Sequence, residues 1–202
     1  MFRRSATEAL IQEVLMGDYL VLEVDRYAVS EDVAAGTGCE ASFTLTNRTD
    51  PTKTRTLSGR GVGFVDAIYN GLIEYYAPEF PSLKTISFTG FSVTGQMETS
   101  EFAGADAEAV VALKVENSEA RTFEFQRAGR SLVAAGINVV VEALEYFINS
   151  ERAYITAYRA LSDARDRSRP DLIQRYMGQL AELVNTTSYS EVIARIQADT
   201  PT

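Results

Sequence analysis

The sequence contains no histidine and only one cysteine among its 202 residues. Without histidine, the chain lacks the residue that most often serves as a general base or transition-metal ligand, and it cannot form a Ser-His or Cys-His nucleophile pair. Cys39 has no second cysteine with which to form an intrachain disulfide, which is typical of the reducing cytosol. These absences favour a non-catalytic cytoplasmic protein without a metal site or other cofactor.

Positive charge is also scarce, because the chain has 19 Lys and Arg but 28 Asp and Glu, which gives a net charge of −9. A surface that binds nucleic acid needs clustered Lys and Arg to contact phosphates, and here the basic residues are scattered. The one short run, Arg165, Arg167 and Arg169, suits the end of a solvated helix, where cations are favourable. We therefore predict no nucleic-acid partner.

Uninterrupted apolar runs are missing as well. The longest candidate, SLVAAGINVVVEALEYFI at 131–148, is interrupted by Asn138, Glu142 and Glu145, whereas a membrane span needs about 18 or more apolar residues. The N-terminal MFRRSATEAL has two arginines but no apolar segment behind them, so it does not match a signal peptide. The sequence predicts no membrane partner.

One supersecondary pattern occurs twice: three strands, a glycine turn and an amphipathic helix. Alternating apolar and polar residues predict the strands, and apolar residues at a period of 3.6 predict the helices. Two copies of such a unit usually bury their helices against a shared sheet surface. The predicted fold class is therefore α+β, with two pseudo-symmetric βββα units packed together. The predicted strands span 19–29, 40–48, 54–59, 83–94, 107–118 and 120–129, with a turn at 49–55 and helices after Gly63 and Gly129.

Helical segments flank the repeated pattern on both sides. Ser5 and Glu8 have capping-box spacing, as do Ser188 and Glu191, and each pair precedes apolar residues at helical intervals. We expect the C-terminal segments to pack on the repeat pair or on a second subunit, because short isolated helices are marginal in water. The predicted organisation is an N-terminal helix at 1–17, a βββα repeat pair at 18–150 and a helical extension at 151–202.

The segment GRGVGFVDAIYNGL, residues 59–72, places three glycines before a predicted helix. A dinucleotide fingerprint requires Gly-x-Gly-x-x-Gly, but the sixth position is Phe64 when counted from Gly59 and Asp66 when counted from Gly61. Neither register fits, and an aspartate in the first helical turn would repel a pyrophosphate. The segment therefore does not predict a dinucleotide site.

A small zwitterion suits this segment better than a nucleotide. Backbone N–H groups at a helix start hold a carboxylate, and Asp66 could pair with an ammonium. The alternative is that the glycines only make a tight turn and that Asp66 only complements the helix dipole. An apolar wall for a branched side chain would come from Val62, Phe64, Val65 and Ala67.

The same segment resembles Gly-x-Gly-Pro-Val-Asp-Ala in the C-terminal regulatory domain of α-isopropylmalate synthase and citramalate synthase, with Phe64 in place of the proline. The stretch from Phe102 to Asn149 resembles the second half of that domain. It does so through Asp106-Ala107, through Gly129 with Ser131, and through Tyr146 to Asn149. The resemblance covers about residues 18–150 and follows the order and spacing of both halves.

The resemblance implies a regulatory, dimerising module of two βββα units that binds leucine or isoleucine. In the full-length synthases, an N-terminal TIM barrel performs a metal-dependent condensation with histidine ligands, and this chain has no histidine. We therefore expect no catalytic residues, no metal and no cofactor, but a homodimer, a small-molecule effector and a separate synthase chain as partner. The candidate ligand-binding residues are Gly61, Val62, Gly63, Phe64, Val65, Asp66, Ala67, Gly129 and Ser131.

Two other hypotheses remain. The chain could be a dimerisation scaffold without a working effector pocket, which would keep the repeat pair but bind no amino acid. It could also be an enzyme that uses carboxylates. Such an enzyme would need two acidic residues that converge in one deep pocket with perturbed pKa values.

Overall fold

The computed structural model describes residues 2–96, 108–186 and 189–199. In these ranges it has an α+β fold with five α-helices and two three-stranded antiparallel sheets, of order β1-β2-β3 and β4-β5-β6. Short 3₁₀ helices at Met16–Asp18 and Pro81–Thr85 precede the first strand of each sheet. The elements are α1 (Phe2–Leu15), β1 (Leu22–Glu31), β2 (Cys39–Asn47), β3 (Asp50–Gly61), α2 (Phe64–Tyr76), β4 (Ser87–Gln96), β5 (Glu108–Glu116), β6 (Thr122–Gly129), α3 (Leu132–Asp166), α4 (Pro170–Leu183) and α5 (Tyr189–Asp199).

The first sheet forms because β2 alternates strictly between apolar and polar residues. Its apolar side chains all fall on the buried face, where Phe43 lies between Tyr27 of β1 and Leu57 of β3. The second sheet has the same antiparallel order, and Leu113 of β5 lies opposite both Phe91 and Phe125. Each sheet therefore presents one apolar face to the helices.

Strand β3 is longer than the sequence predicts. The turn predicted at 49–55 is confined to Arg48 and Thr49, and the strand begins at Asp50. Both faces of this part of β3 are exposed, so it lacks the apolar alternation by which a strand is recognised. Threonine hydroxyls pair across the strands instead, at 3.0 Å between Thr44 and Thr56 and at 3.0 Å between Thr46 and Thr54.

Other predicted boundaries shift by a few residues. Helix α1 begins at Phe2, so Ser5 of the predicted capping box lies inside the helix and not at its start. Strand β4 begins at Ser87 rather than at residue 83, because Pro81 opens a 3₁₀ turn that buries Leu83. The predicted capping residue Ser188 and the pair Asp106-Ala107 lie outside the described residues.

Helix α3 is the central element of the core. It contacts β5 and β6, crosses to β1 of the first sheet, and also packs against α2, α1 and α4. Ser131 caps its first turn by accepting a hydrogen bond from the Ala134 N–H at 3.2 Å. The helix continues without a break past residue 150, the predicted border of the helical extension.

Within the described residues, α3 is also the one helix that is long and apolar enough to cross a membrane. Its most apolar 18-residue window has a mean hydropathy of 1.4, and 67% of that window is buried inside the protein. A buried core helix passes the same test of length and composition. The length and composition of α3 are therefore weak grounds for a membrane span.

Helix α2 lies unusually close to β3, and glycines make this approach possible. A Cβ on Gly59 would lie 2.5 Å from the backbone nitrogen of Gly71, and still closer to the carbonyl oxygen of Ala67. A Cβ on Gly61 would lie 2.5 Å from the Ala67 nitrogen. Gly63, in contrast, has open space around its Cβ position and an extended backbone with φ −140°.

We expect Gly59→Ala to destabilise the protein by about 1–3 kcal/mol, because the new methyl group meets backbone atoms that cannot move without separating α2 from β3. Gly63→Ser is the matched control on the same loop, and its effect should stay within about 0.5 kcal/mol because serine is a good N-cap residue. Urea denaturation measures both. Equal stabilities for the two variants would contradict the close packing described here.

Candidate functional site

Two clefts lie beside the starts of α2 and α3, and they share no lining residue. The first, which we call the α3 cleft, has a volume of about 530 Å³ and lies between the start of β1 and the start of α3. The second, the α2 cleft, has a volume of about 520 Å³ and lies between the β1–β2 loop and the start of α2. The α3 cleft is lined by Val21, Leu22, Glu23, Val24, Arg48, Arg127, Ala128, Gly129, Arg130, Ser131, Ala134, Ala135, Asn138, Val141, Glu142 and Glu145. The α2 cleft is lined by Glu31, Asp32, Val33, Gly36, Thr37, Gly38, Gly61, Val62 and Asp66.

The α3 cleft combines both signs of charge with an apolar wall. Arg127 forms an ion pair with Glu142 at 2.7 Å, and Arg48 holds Glu23 through its Nε at 2.5 Å and its Nη2 at 3.0 Å. Valines and alanines from β1 and α3 line the space between these charged groups. The first-turn N–H groups of α3 lie at the same end and favour an anion.

Glu145 lies on α3 within this cleft and is half-buried. The Leu22 N–H donates a hydrogen bond to its Oε2 at 2.7 Å. Burial raises the pKa of the carboxyl from 4.5 to about 7, and the charge of Glu142 adds to this; the Leu22 hydrogen bond and the charge of Arg127 act in the opposite direction. Glu145 therefore titrates near neutral pH.

The chain beside the cleft is fastened to α3 by a buried amide. Asn149 accepts a hydrogen bond from the Leu20 N–H at 2.9 Å and donates one to the Leu20 carbonyl at 2.8 Å. Asn149 is fully buried, so these bonds satisfy polar groups that have no access to water. Together with the Glu145 hydrogen bond, they position the residues that lead into β1 against α3.

Strand β1 reaches the start of α3 at a further point. The Tyr27 hydroxyl lies 3.3 Å from the Ser131 Oγ, the oxygen that caps α3. Residues of the first sheet therefore contact both ends of the cleft wall that α3 provides. The cleft lies at the contact between the first sheet and the helix that covers the second sheet.

The α2 cleft has a different character. Its charged lining residues are Glu31, Asp32 and Asp66, all of them acidic. The Asp66 Oδ2 accepts a hydrogen bond from the Val62 N–H at 3.0 Å, so the carboxylate stabilises its own turn. Among the described residues, no group of three or more His, Cys, Asp or Glu is placed to hold a metal ion.

The structure does not bring the nine predicted site residues together. Gly129 and Ser131 line the α3 cleft, whereas Gly61, Val62 and Asp66 line the α2 cleft. The remaining four, Gly63, Phe64, Val65 and Ala67, line neither cleft.

Phe64 and Ala67 take part in packing at the start of α2. Ala67 is fully buried in the core. The Phe64 ring packs on α3 at Gly136, where a Cβ would lie 2.6 Å from its Cε2, and it meets Phe91 edge-on at 6.3 Å between ring centroids. The aromatic ring thus occupies the space where α2 and α3 meet.

The charged residues of the α3 cleft are not among the site residues predicted from the sequence. Glu142 and Glu145 served only as interruptions of an apolar run, although a spacing of three places them on one face of a helix. That spacing was the available signal in the sequence for a pair of carboxylates on one side of α3. Arg127 follows Phe123 and Phe125 at a spacing of two, which places it on the apolar face of β6, and this phase was a second available signal.

No protein-family model matches this chain, and no curated protein matches it.

We expect the stability of the protein to fall as the pH rises from about 5 to about 8. Because the folded state raises the pKa of Glu145 to about 7, the folded protein binds a proton more tightly than the unfolded chain over this window, and the stabilisation is lost as the carboxyl ionises. Glu145→Gln should flatten this dependence, since glutamine still accepts the Leu22 hydrogen bond but does not titrate. Urea denaturation at a series of pH values measures the slope, and an unchanged slope in the variant would refute the assignment.

Proposed function

We propose that this chain is a non-catalytic, cytoplasmic regulatory module of two pseudo-symmetric βββα units. It resembles the regulatory domain of α-isopropylmalate synthase, binds a branched-chain amino acid or a related metabolite, and forms a homodimer that acts on a separate synthase chain. The observation that carries the proposal is the α3 cleft, because it lies between the two units and offers groups for both ends of a zwitterion.

The strand registers support the pseudo-symmetry. Phe43 lies opposite Leu57 in the first sheet, as Leu113 lies opposite Phe125 in the second. Each first strand carries an irregularity near its start, between Val24 and Arg26 in β1 and between Phe88 and Gly90 in β4. In both sheets the helix cap follows two residues after the glycine that ends the third strand: Gly63 after Gly61, and Ser131 after Gly129.

The lining of the α3 cleft supports an amino-acid ligand. Arg127, Arg130 and the start of α3 favour a carboxylate, whereas the glutamates favour an ammonium. Val21, Val24 and Val141 provide the apolar surface that a branched side chain requires. A ligand that contacts β1 and α3 at once would also favour one packing of the two units over another, which is the requirement for regulation.

Apolar side chains on the sheets support dimerisation. Tyr27 and Val29 of β1 lie on the same face as the buried side chains of β2, yet they remain exposed. Phe91 and Val93 occupy the corresponding positions of β4 and are 42% and 44% exposed. Exposed apolar side chains on an otherwise buried face are typical of surfaces that bind another protein.

Leucine, isoleucine or valine should raise the melting temperature if the α3 cleft binds a branched-chain amino acid. At a ligand concentration of 100 times Kd, the folded state gains about 2.7 kcal/mol, which corresponds to roughly 5–10 °C for a protein of this size. Differential scanning fluorimetry measures the shift. Asn138→Trp, which fills the cleft from an exposed position on α3, should abolish the shift.

Thr156→Trp is the matched control, because Thr156 is exposed on the same helix but does not line the cleft. It should respond to ligand like the unmodified protein. A stable dimer by light scattering with no thermal shift for any of the three amino acids would favour the alternative function, a dimerisation scaffold without an effector pocket.

A further inference from the structure

The α3 cleft contains three glutamates, two of which are paired with an arginine and one of which is not. Glu142 is ion-paired with Arg127, and Glu23 is held by two nitrogens of Arg48. Glu145 receives its hydrogen bond from a neutral donor, the Leu22 N–H. Of the three carboxylates, Glu145 is therefore the one whose closest partner does not already neutralise its charge.

The position of Glu145 suits recognition of a ligand nitrogen. It lies on α3 between the apolar wall and the segment held by Asn149, so its carboxylate is fixed by the fold rather than by a flexible loop. An ammonium beside it would form a charge-assisted hydrogen bond in a partly desolvated site, where such bonds are strongest. A 2-oxo acid with the same side chain has no hydrogen to donate at this position.

We propose that Glu145 determines the ligand class of the α3 cleft: its ionised carboxylate binds the ammonium of an α-amino acid, excludes the corresponding 2-oxo acid, and couples binding to the release of a proton. This inference rests on the proposed function and names the group that makes the site specific for amines. The corresponding 2-oxo acid is a demanding comparison because it keeps both the carboxylate and the branched side chain.

The titration of Glu145 supports the coupling. Burial raises its pKa to about 7, so the carboxyl of the free protein is partly protonated at neutral pH and loses its proton when an ammonium binds. Glu142 on α3, Arg127 on β6, Glu8 on α1, Tyr19 before β1 and Tyr76 on α2 interact with this carboxyl electrostatically. Three further charged residues line the same cleft: Glu23 on β1, Arg48 after β2 and Arg130 before α3.

Isothermal titration calorimetry with leucine and with 4-methyl-2-oxopentanoate tests the proposal on the intact chain. The unmodified protein should bind leucine at least tenfold more tightly than the oxo acid at pH 8. Its affinity for leucine should fall about tenfold per pH unit well below pH 7. Titrations at pH 7 in two buffers with different ionisation enthalpies should show release of about half a proton on binding leucine and no release with the oxo acid.

Glu145→Gln should lose at least tenfold in affinity for leucine, bind the oxo acid at least as tightly as the unmodified protein does, and bind leucine without the pH dependence. Glu74→Gln is the control for loss of one negative charge, since Glu74 is exposed on α2 and lines neither cleft. If leucine binds to the unmodified protein without proton release and equally to Glu145→Gln, this inference is overturned while the proposed function stands. Binding of neither compound overturns both.

Asp66→Ala tests whether the ammonium of the ligand binds in the α2 cleft instead of beside Glu145. If this variant loses leucine affinity while Glu145→Gln keeps it, the ligand nitrogen lies in the α2 cleft and the assignment to Glu145 is wrong. The pH dependence of leucine binding to the unmodified protein tests the assignment to Glu145 without any substitution.

Discussion

The burial of α3 against both sheets is the constraint on which the rest of the structure depends. One face of this helix covers β5 and β6, and the same rigid rod meets β1, α2, α1 and α4. Its side chains are buried over most of its length, from Ala135 to Ala164. Because a helix does not bend easily within a close-packed core, the position of each sheet is fixed relative to the other through α3.

This constraint also creates the α3 cleft. Asn149 and Glu145 hold the chain at Leu20 and Leu22 against α3, so the start of β1 forms one wall and the helix forms the other. The carboxyl of Glu145 is desolvated in the process, and its raised pKa weakens the fold at neutral pH. A perturbed carboxyl group that lines a cleft is typical of functional sites.

Elements with one buried face could be predicted from the sequence, and elements without one could not. The alternation in β2 and the period of 3.6 in α2 reflect burial on one side, and both elements lie close to their predicted positions. The first half of β3 has no buried face and was predicted as a turn. The glycines before α2 stand out in the sequence as a candidate ligand site, and at Gly59 and Gly61 the structure gives them a packing role.

The sequence by itself determined the order of strands, glycine turns and helices, the absence of histidine chemistry and the acidic balance of charge. Only the tertiary structure decided that Gly129 and Ser131 share a cleft with Glu145, while Gly61 and Asp66 line another. The physical reason is that periodicity reveals which face of an element is apolar, but not which distant element covers it. Leu20 and Asn149 are 129 residues apart in the chain, and no local pattern encodes the pair of hydrogen bonds that joins them.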